Sequence, residues 1–570
     1  MNRGKYILII FLIFFILILA TCGSLLYLEL GRPPSVKTHS YLEIPLAGSI
    51  QEKVSPDFLS ELLNIKPPLS LYDIWINFNK AKLDSRIESI VLRLNYMECD
   101  WGKINELRDC ILDFKQSGKK VYAYIDETVE FDKEYYLATA CDRIILHPMG
   151  TLIINGIGGY IPFLKDALDN LGVKAEVEHI GKYKTAYNMF TESDLTPAHR
   201  EMLQSIYEDI FQHYVKTVAG NRNKTENEIR MLIDRGYFQG TQALEAGLVD
   251  DLLYPDELQD MISPDGTTLS KISHEVYTRI KPSSVGLSGR SKIAIIYGMG
   301  PILTGEGVYQ AMGSTTVARW FQYAREDRSI AAVIFRVDSP GGSAVASDII
   351  WREVILTKKE KPVVISMSDM AGSGGYWVSM SADKIVAQPQ TLTGSIGVIF
   401  GKFSFSGLLD KIGVTGETIT FGKRADIFSP FRELTSEESA FLNQQIQWTY
   451  DRFVNKVAEG RDLPEDKVHE IGQGRVWTGS QAKEIGLVDE IGGMNLAVKL
   501  AKELAGIPSD EPTKFEVWPK TVSFMDMVFG RPTIESGIGV SFRLQRLIWT
   551  LKLLKNDSLW ALMPSWIIPE

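Results

Sequence analysis

A serine flanked by small residues is the first feature of this chain that could do chemistry. Residues 371–377 read Ala-Gly-Ser-Gly-Gly-Tyr-Trp, and Ser373 stands between a predicted strand and a predicted helix. The pattern is similar to a nucleophile elbow with Ala in place of the usual first Gly. The small neighbours let a substrate approach the hydroxyl, and the Gly374 N–H can point at a developing oxyanion. A plain Gly/Ser turn is the alternative interpretation.

A second glycine-rich turn lies about thirty residues earlier in the chain. Residues 338–343 read Asp-Ser-Pro-Gly-Gly-Ser and directly follow a predicted strand. A strand that ends in Pro-Gly-Gly exposes backbone N–H groups with no side chain in the way, which suits an oxyanion hole. An ordinary tight turn would have the same sequence.

The chain is a tandem duplication. Residues 240–250 recur as 479–489, and two further blocks, 90–94 with 333–337 and 140–145 with 381–386, match in the same order at nearly the same offset. We therefore predict two related domains. The predicted organisation is a membrane anchor and linker at 1–40, a first repeat at 41–285, a linker at 286–290, a second repeat at 291–510 and a tail at 511–570.

The two copies differ where a nucleophile and a base would stand. The first copy has Asp132 where the second has Ser373, so the first copy cannot offer the serine. Residues 181–186 of the first copy read Gly-Lys-Tyr-Lys-Thr-Ala, whereas 422–426 of the second read Gly-Lys-Arg-Ala-Asp. Lys184 therefore aligns with Ala425. Each copy lacks what the other retains, as expected if one active site is shared between two specialised halves.

A serine nucleophile needs a base, and a histidine is hard to find. Only His469 lies in the second copy, and nothing in the sequence brings it near Ser373. A lysine can serve if burial lowers its pKa from about 10.4 towards 7–8. Ser395, in the segment Leu-Thr-Gly-Ser-Ile-Gly at 392–397, is a candidate to hold such a neutral amine.

The elements around these residues predict an α/β fold. Within the second repeat, short β-branched runs at 293–297, 332–336 and 362–366 are typical of buried strands, and the amphipathic stretch 347–356 is typical of a helix. This alternation favours β-α units with a mostly parallel sheet.

An unbroken apolar run at residues 6–28 predicts a membrane-spanning helix. It contains no charged residue, and its 23 residues would extend roughly 34 Å at about 1.5 Å each. Because Arg3 and Lys5 precede it, the rest of the chain is expected outside the cytoplasm. The alternatives are a signal peptide cleaved or lipidated near Cys22 and, less favourably, a buried core helix.

Charge and cysteine content exclude other classes of function. The net charge of -10 is spread along the chain and no basic patch stands out, so nucleic acid is not an expected partner. Four cysteines are present, and none forms a CxxC pair. With Cys22 in the anchor, Cys99, Cys110 and Cys141 could form at most one intramolecular disulfide. We expect neither a metal nor another cofactor.

Taken together, these motifs and the duplication resemble the long form of the signal peptide peptidase A family, also called protease IV. The resemblance runs from about residue 41 to residue 510. It implies tandem crotonase/Clp-protease-like domains and a Ser–Lys dyad split between the copies. It also implies cleavage of leftover signal peptides and similar apolar peptides at the membrane.

Carried over position by position, the resemblance assigns a role to each site residue. Ser373 is the nucleophile, Lys184 the general base and Ser395 the serine that orients the lysine. Gly342 and Gly374 are the oxyanion-hole donors, and Gly341 is a further candidate. The chain departs from the family pattern at Asp338, where Asn is common, which could alter local hydrogen bonds.

The resemblance also implies a homotetramer, because single-copy members form rings and a duplicated chain needs half as many subunits. A crotonase-like acyl-CoA enzyme is one alternative, since it would share the fold and use the oxyanion donors without a serine. A catalytically silent membrane scaffold is another. The anchor argues against the first, and the retention of Ser373 and Lys184 on opposite copies argues against the second.

Overall fold

The computed structural model describes residues 34–54, 68–126, 128–129, 132–263, 266–307, 310–520 and 560–562, together with Phe14. Apart from Phe14, the predicted membrane span at 6–28 lies outside these residues. Among the helices of the described ranges, none is both long enough and apolar enough to cross a membrane.

The first repeat alternates strands with helices, as expected. Its strands are β1 (Ser40–Gln51), β2 (Leu69–Ser70), β3 (Ile87–Glu98), β4 (Lys120–Ile125), β5 (Thr128–Val129), β6 (Arg143–Leu146), β7 (Thr151–Ile154), β8 (Lys174–Ile180), β9 (Gly236–Gln239), β10 (Asp251–Leu252) and β11 (Ser270–Ser273). Its helices are α1 (Leu71–Leu83), α2 (Trp101–Lys115), α3 (Asp132–Ala138), α4 (Lys165–Leu171), α5 (Asn188–Thr191), α6 (Pro197–Asn221), α7 (Glu226–Arg235), α8 (Gly240–Glu245), α9 (Pro255–Ile262) and α10 (His274–Thr278). A 3₁₀ turn at Pro282–Val285 precedes the second repeat.

The second repeat follows the same plan. Its strands are β12 (Lys292–Met299), β13 (Ile302–Leu303), β14 (Met312–Gly313), β15 (Ile330–Ser339), β16 (Gly341–Ser343), β17 (Val363–Gly372), β18 (Lys384–Ala387), β19 (Leu392–Gly394), β20 (Val398–Ser404), β21 (Val476–Thr478), β22 (Glu490–Ile491) and β23 (Lys514–Trp518), followed by β24 (Trp560–Leu562). Its helices are α11 (Ser314–Glu326), α12 (Ala344–Lys358), α13 (Gly374–Trp377), α14 (Ser406–Lys411), α15 (Ser436–Arg461), α16 (Glu465–Ile471), α17 (Gly479–Glu484) and α18 (Met494–Leu504).

The two main sheets have the same strand order, which is the duplication in three dimensions. The first runs β10-β6-β4-β3-β1-β11, and the corresponding path in the second is β22-β18-β17-β15-β12-β23. All of these neighbours pair in parallel. The strand β23, at 514–518, occupies the place that β11 occupies in the first repeat, so this part of the predicted tail joins the second sheet.

The repeats pack against each other through a shared apolar layer. Along β12, Ile293 and Ile295 pack into the core of the first repeat, whereas Ala294 and Ile296 pack into the core of the second. This alternation follows from the two-residue period of a strand. The second sheet is therefore covered on one face by its own helices and on the other by the first repeat.

A six-stranded outer sheet crosses between the repeats. Its strand order is β14-β13-β16-β24-β20-β8, so the first repeat contributes β8 to a sheet of the second. Strand β8 runs antiparallel to β20, with Ile180 opposite Val398 and Lys174 opposite Ser404. The segment that follows β8 is thereby carried to the carboxyl ends of the second repeat's central strands.

Candidate active site

Ser373 lies at the sharp turn between β17 and α13. Its backbone has φ 56° and ψ −111°, in the left-handed range of φ that residues other than glycine rarely adopt. The turn is held by a hydrogen bond from the Ser373 N–H to the Gly394 carbonyl at 2.8 Å. The side chain is fully buried. The strand–turn–helix context expected of a nucleophile elbow is therefore present.

Lys184 of the first repeat reaches Ser373 of the second. Its Nζ lies 2.7 Å from Ser373 Oγ, 3.0 Å from Ser395 Oγ and 3.0 Å from the Ser395 carbonyl oxygen. Only 1% of Lys184 is exposed. Burial lowers the pKa of its ammonium well below the ordinary lysine value. The three predicted residues therefore form one buried cluster whose amine loses its proton more readily than that of an exposed lysine.

Two glycines of the second repeat make room for the lysine. A Cβ on Gly474 would lie 2.5 Å from Lys184 Cα, and one on Gly397 would lie 3.1 Å from Lys184 Cδ. A further contact fixes the segment, because the Tyr183 N–H donates to the Gln473 carbonyl at 2.9 Å. Neither glycine was assigned a role from the sequence. The Gly-Gln-Gly run at 472–474 was the available signal, but its partner is distant in sequence.

Three polar side chains also hold the segment that contains Tyr183 and Lys184. The Tyr183 hydroxyl lies 3.0 Å from the Glu201 carboxylate, and Arg475 donates to Glu201 at 2.7 Å. The Arg475 guanidinium also lies over the Tyr183 ring, 4.8 Å from its centroid. These contacts join the first-repeat segment that contains Lys184 to Arg475 of the second repeat.

The two predicted oxyanion glycines lie close together beside the turn that carries Ser373. A Cβ on Gly374 would lie 3.0 Å from the Gly342 backbone nitrogen, so the two backbones are close. Gly374 is the first residue of α13, where the helix supplies no acceptor for the N–H. The third candidate differs, because the Gly341 N–H donates to Ser339 Oγ at 3.1 Å. Of the three candidates, Gly341 is therefore the one whose N–H already has a side-chain acceptor in its own turn.

Two other ionisable residues considered from the sequence lie elsewhere. Lys423, which follows Gly422 in the second-copy segment that matches residues 181–186, is 70% exposed and pairs with Glu437 at 2.5 Å. His469 has its Nδ1 2.9 Å from the Tyr450 hydroxyl. Of the three cysteines in the described ranges, all are free, and burial raises the pKa of each thiol.

The comparisons with known proteins identify the family of the chain. The model of "Peptidase family S49" matches residues 113–264 and 355–508, which together make up more than half of the chain and divide between the two repeats. The chain belongs to peptidase family S49.

Similar proteins of comparable length come from plants and bacteria. The chain is 35% identical over 525 residues to "Serine protease SPPA, chloroplastic" of Arabidopsis thaliana, a match covering 90% of this chain and 76% of that protein. It is 34% identical to "Protease 4" of Haemophilus influenzae (80% of this chain, 76% of the relative). It is also 34% identical to "Protease 4" of Salmonella typhi (79% and 75%). The protein is therefore a duplicated serine peptidase of this family.

Proposed function

We propose that this family S49 enzyme is a membrane-anchored endopeptidase that cleaves signal-peptide remnants and similar apolar peptides with a Ser–Lys dyad. The observation that carries the dyad is the 2.7 Å contact between Lys184 Nζ and Ser373 Oγ, made between the two repeats in a buried site. The family resemblance implies a crotonase/Clp-protease-like fold for both repeats. The two parallel sheets with the same strand order support that assignment.

The hydrogen-bond geometry suits a neutral lysine acting as base. A neutral amine has one lone pair and two N–H groups. The lone pair accepts the Ser373 hydroxyl proton, while the two N–H groups donate to the carbonyl and hydroxyl oxygens of Ser395. Ser395 in this way aims the lone pair at the nucleophile, so that the base needs no carboxylate partner.

The reaction then proceeds by acyl transfer. Ser373 Oγ attacks the scissile carbonyl carbon while its proton moves to Lys184 Nζ. The N–H groups of Gly342 and Gly374 stabilise the oxyanion of the tetrahedral intermediate. Collapse of the intermediate breaks the peptide C–N bond, and Lys184 returns the proton to the leaving amine. Water, deprotonated by the same lysine, then hydrolyses the acyl-enzyme and restores Ser373.

The edge of β16 supports binding of an extended peptide. The chain's own strand β24 runs antiparallel along it, pairing Ala561 with Gly342 and Leu562 with Gly341. A substrate added as a strand at this edge would bring its carbonyl groups to the Gly342 N–H. Strand addition binds mainly through the main chain, which fits substrates defined by apolar character more than by one side chain. An incoming peptide must displace 560–562.

The proposed anchor at residues 6–28 would hold this cleft beside the bilayer, on the extracytoplasmic side. The support is the uncharged run itself and the basic residues before it. Protease added to spheroplasts should then degrade the chain. Protection until lysis would reverse the orientation.

A homotetramer is proposed from two unpaired segments. The β8–β20 pairing joins the first repeat to the second within one chain. Its counterpart would join 414–421 of the second repeat to 155–164 of the first, yet neither segment forms a strand in the described chain. Both expose large apolar side chains, with Ile419 85%, Phe421 94% and Tyr160 90% exposed. Since one chain cannot close this pairing on itself, successive chains would, head to tail in a ring.

Charge substitution tests the ring. Phe421→Lys should shift the detergent-solubilised protein from tetramer to monomer by size-exclusion chromatography with light scattering. Met231→Lys, at a side chain that is 65% exposed on α7, is the control and should leave the mass unchanged. A monomeric wild type, or a tetrameric Phe421→Lys variant, contradicts the proposed interface.

A fluorophosphonate probe and a fluorogenic apolar peptide test the chemistry. Ser373→Ala should abolish labelling and lower kcat/KM by about 10⁴-fold or more, since the nucleophile is lost. Asp132→Ala, at the matching place in the first repeat, should keep labelling and most of the activity. A crotonase-like enzyme or a silent scaffold would show a wild type that is neither labelled nor active on peptides. Turnover by folded Ser373→Ala would contradict the serine mechanism.

A further inference from the structure

A buried lysine of the first repeat sits between the two turns of the second repeat that form the proposed site. Lys103, in the first turn of α2, has only 7% of its side chain exposed. Its Nζ lies 2.6 Å from Asp338 Oδ2 and forms a second ion pair with Asp369 Oδ2. Among the residues that the structure describes, no other cation lies within 4 Å of either carboxylate. One ammonium therefore balances the buried Asp369 and the partly buried Asp338 of the other repeat, and it also lies 3.9 Å from Glu52 of its own repeat.

Each aspartate belongs to a strand end that carries catalytic groups. Asp338 immediately precedes the turn Ser-Pro-Gly-Gly that contains Gly342, and its Oδ1 accepts the Met370 N–H at 3.3 Å. Asp369 lies four residues before Ser373 on β17. The ion pairs thus bridge β15 and β17 close to the places where their chains turn to present the oxyanion donor and the nucleophile.

Asp369 also caps the N-terminus of α2, a helix of the first repeat. The residue before α2, Asp100, makes no side-chain capping hydrogen bond to its own helix. Instead, Asp369 Oδ1 accepts the Lys103 N–H at 2.7 Å, and Oδ2 lies 3.4 Å from the Asp100 nitrogen. An anion at this end of a helix is stabilised by the free N–H groups and the helix dipole. Asp369 therefore keeps its contacts to the backbone N–H groups at this helix end even without the lysine side chain.

The approach of the helix is too close for any side chain. A Cβ on Gly102 would lie 2.5 Å from the Ser368 carbonyl oxygen and 2.7 Å from Asp369 Cα. The start of α2 is consequently in backbone contact with the strand that leads to Ser373. The first copy has Asn95 at the place of Asp338, so the charge arises only on the copy with the nucleophile.

From this geometry we infer that Lys103 is a positioning residue, which sets the distance between the Gly342 N–H and Ser373 by holding Asp338 and Asp369 together. The inference rests on the proposed peptidase mechanism. Without the ammonium, Asp338 becomes a partly buried carboxylate with no cation within 4 Å, and it repels Asp369. The two turns then separate, and a shift of about 1 Å at reacting groups can cost on the order of 10²-fold in rate.

The test compares Lys103→Met with Lys115→Met and with a charge-compensated double variant. Lys115 is on the same helix and pairs with Asp142 inside the first repeat. Lys103→Met should lower kcat by about 10- to 100-fold with KM changed less than about threefold, while Lys115→Met should match the wild type. Adding Asp338→Asn removes the unpaired carboxylate, so the double variant should recover at least about tenfold of the lost kcat.

The pH profile separates positioning from lost packing. Asp338 faces Lys103 and Glu52 of the first repeat and Asp369 of its own sheet, with Asp100 and Lys133 beyond. Protonation of Asp338 at low pH should relieve the repulsion, so the ratio of Lys103→Met to wild-type kcat should rise as pH falls. The ratio for the double variant should stay flat, since it has no Asp338 carboxylate.

The outcomes are distinct. A folded Lys103→Met variant with wild-type kcat overturns the inference. So does a double variant as impaired as the single one, because the loss would then come from packing. A folded wild type that neither hydrolyses the peptide nor reacts with the fluorophosphonate probe instead overturns the proposed function, and the role of Lys103 with it.

Discussion

The site of the second repeat and the matching place in the first differ in what fills the turn after the strand. In the second repeat the turn presents Ser373, next to a lysine. In the first, the Asp132 carboxylate accepts the N–H groups of Asn155 and Gly156 at 3.2 and 3.0 Å, and Glu134 accepts the Met97 N–H at 2.8 Å. The first repeat satisfies these backbone donors internally. The two repeats therefore share the strand before this turn, but the first repeat has a carboxylate there and the second has a serine.

The lysine segments differ in the opposite sense. Lys184 is buried because its segment lies against residues 473–475 of the second repeat, whereas Lys423 is 70% exposed because no repeat of the same chain covers its segment. Burial in this contact lowers the pKa of Lys184. Specialisation of the copies therefore follows from where each segment docks.

Replacing each of the two lysines with alanine tests this comparison most directly. Lys184→Ala should lower kcat/KM by about 10³-fold or more because the base is lost, while Lys423→Ala removes only an exposed ion pair and should retain most activity. Both are measured on the same fluorogenic peptide. An inactive Lys423→Ala beside an active Lys184→Ala would show that the second repeat carries the whole site.

The oxyanion turn allows a second matched pair. In Gly374→Ala the new Cβ would lie 2.6 Å from Ser347 Oγ and 3.0 Å from the Gly342 nitrogen, so it would crowd the space for the oxyanion. We expect a loss of about 10²- to 10³-fold in kcat. Lys133→Ala, at the corresponding place in the first repeat, is the control. Equal effects of the two substitutions would contradict the asymmetry of the turns.

The pH dependence of the rate reports the state of Lys184. Burial lowers its pKa, and only the neutral amine can accept the Ser373 proton. Activity should therefore be lost at low pH, rise through the lowered pKa and be greater at mildly alkaline pH. Profiles of kcat/KM for the wild type and Lys423→Ala should superimpose. A rate that rises only near the ordinary lysine pKa would show that the site does not lower the pKa of Lys184.

The smallest expected effect is on stability. Since the folded-state pKa of Lys184 lies below its unfolded value, the free energy of unfolding rises with pH between the two values, and at neutral pH the folded chain bears a penalty. Lys184→Met should remove that penalty and stabilise the protein by on the order of 1 kcal/mol at pH 7. The gain in thermal midpoint should shrink towards pH 10. Lys423→Met should leave the midpoint unchanged at every pH.

The sequence alone predicted the duplication and the mixed α/β class, and it named Ser373, Lys184 and Ser395, which the structure brings within hydrogen-bond distance of one another. Comparison of the copies distinguished Lys184 from Lys423, because a repeat retains its register even where its side chains diverge. The strand predictions at 293–297, 332–336 and 362–366 lie within β12, β15 and β17 or overlap them closely. Buried parallel strands are recognisable because their apolar runs are local in the chain.

Tertiary structure decided the contacts between distant segments that comparison of the two copies does not reveal. The glycines that accommodate Lys184, at 397 and 474, and the pairing of Lys103 with Asp338 and Asp369 join residues more than 200 positions apart. The short strands β23 and β24 have no local pattern that would reveal their partners. Periodicity and propensity report the environment along one element, whereas close backbone approach and charge balance in a buried site depend on which elements pack together.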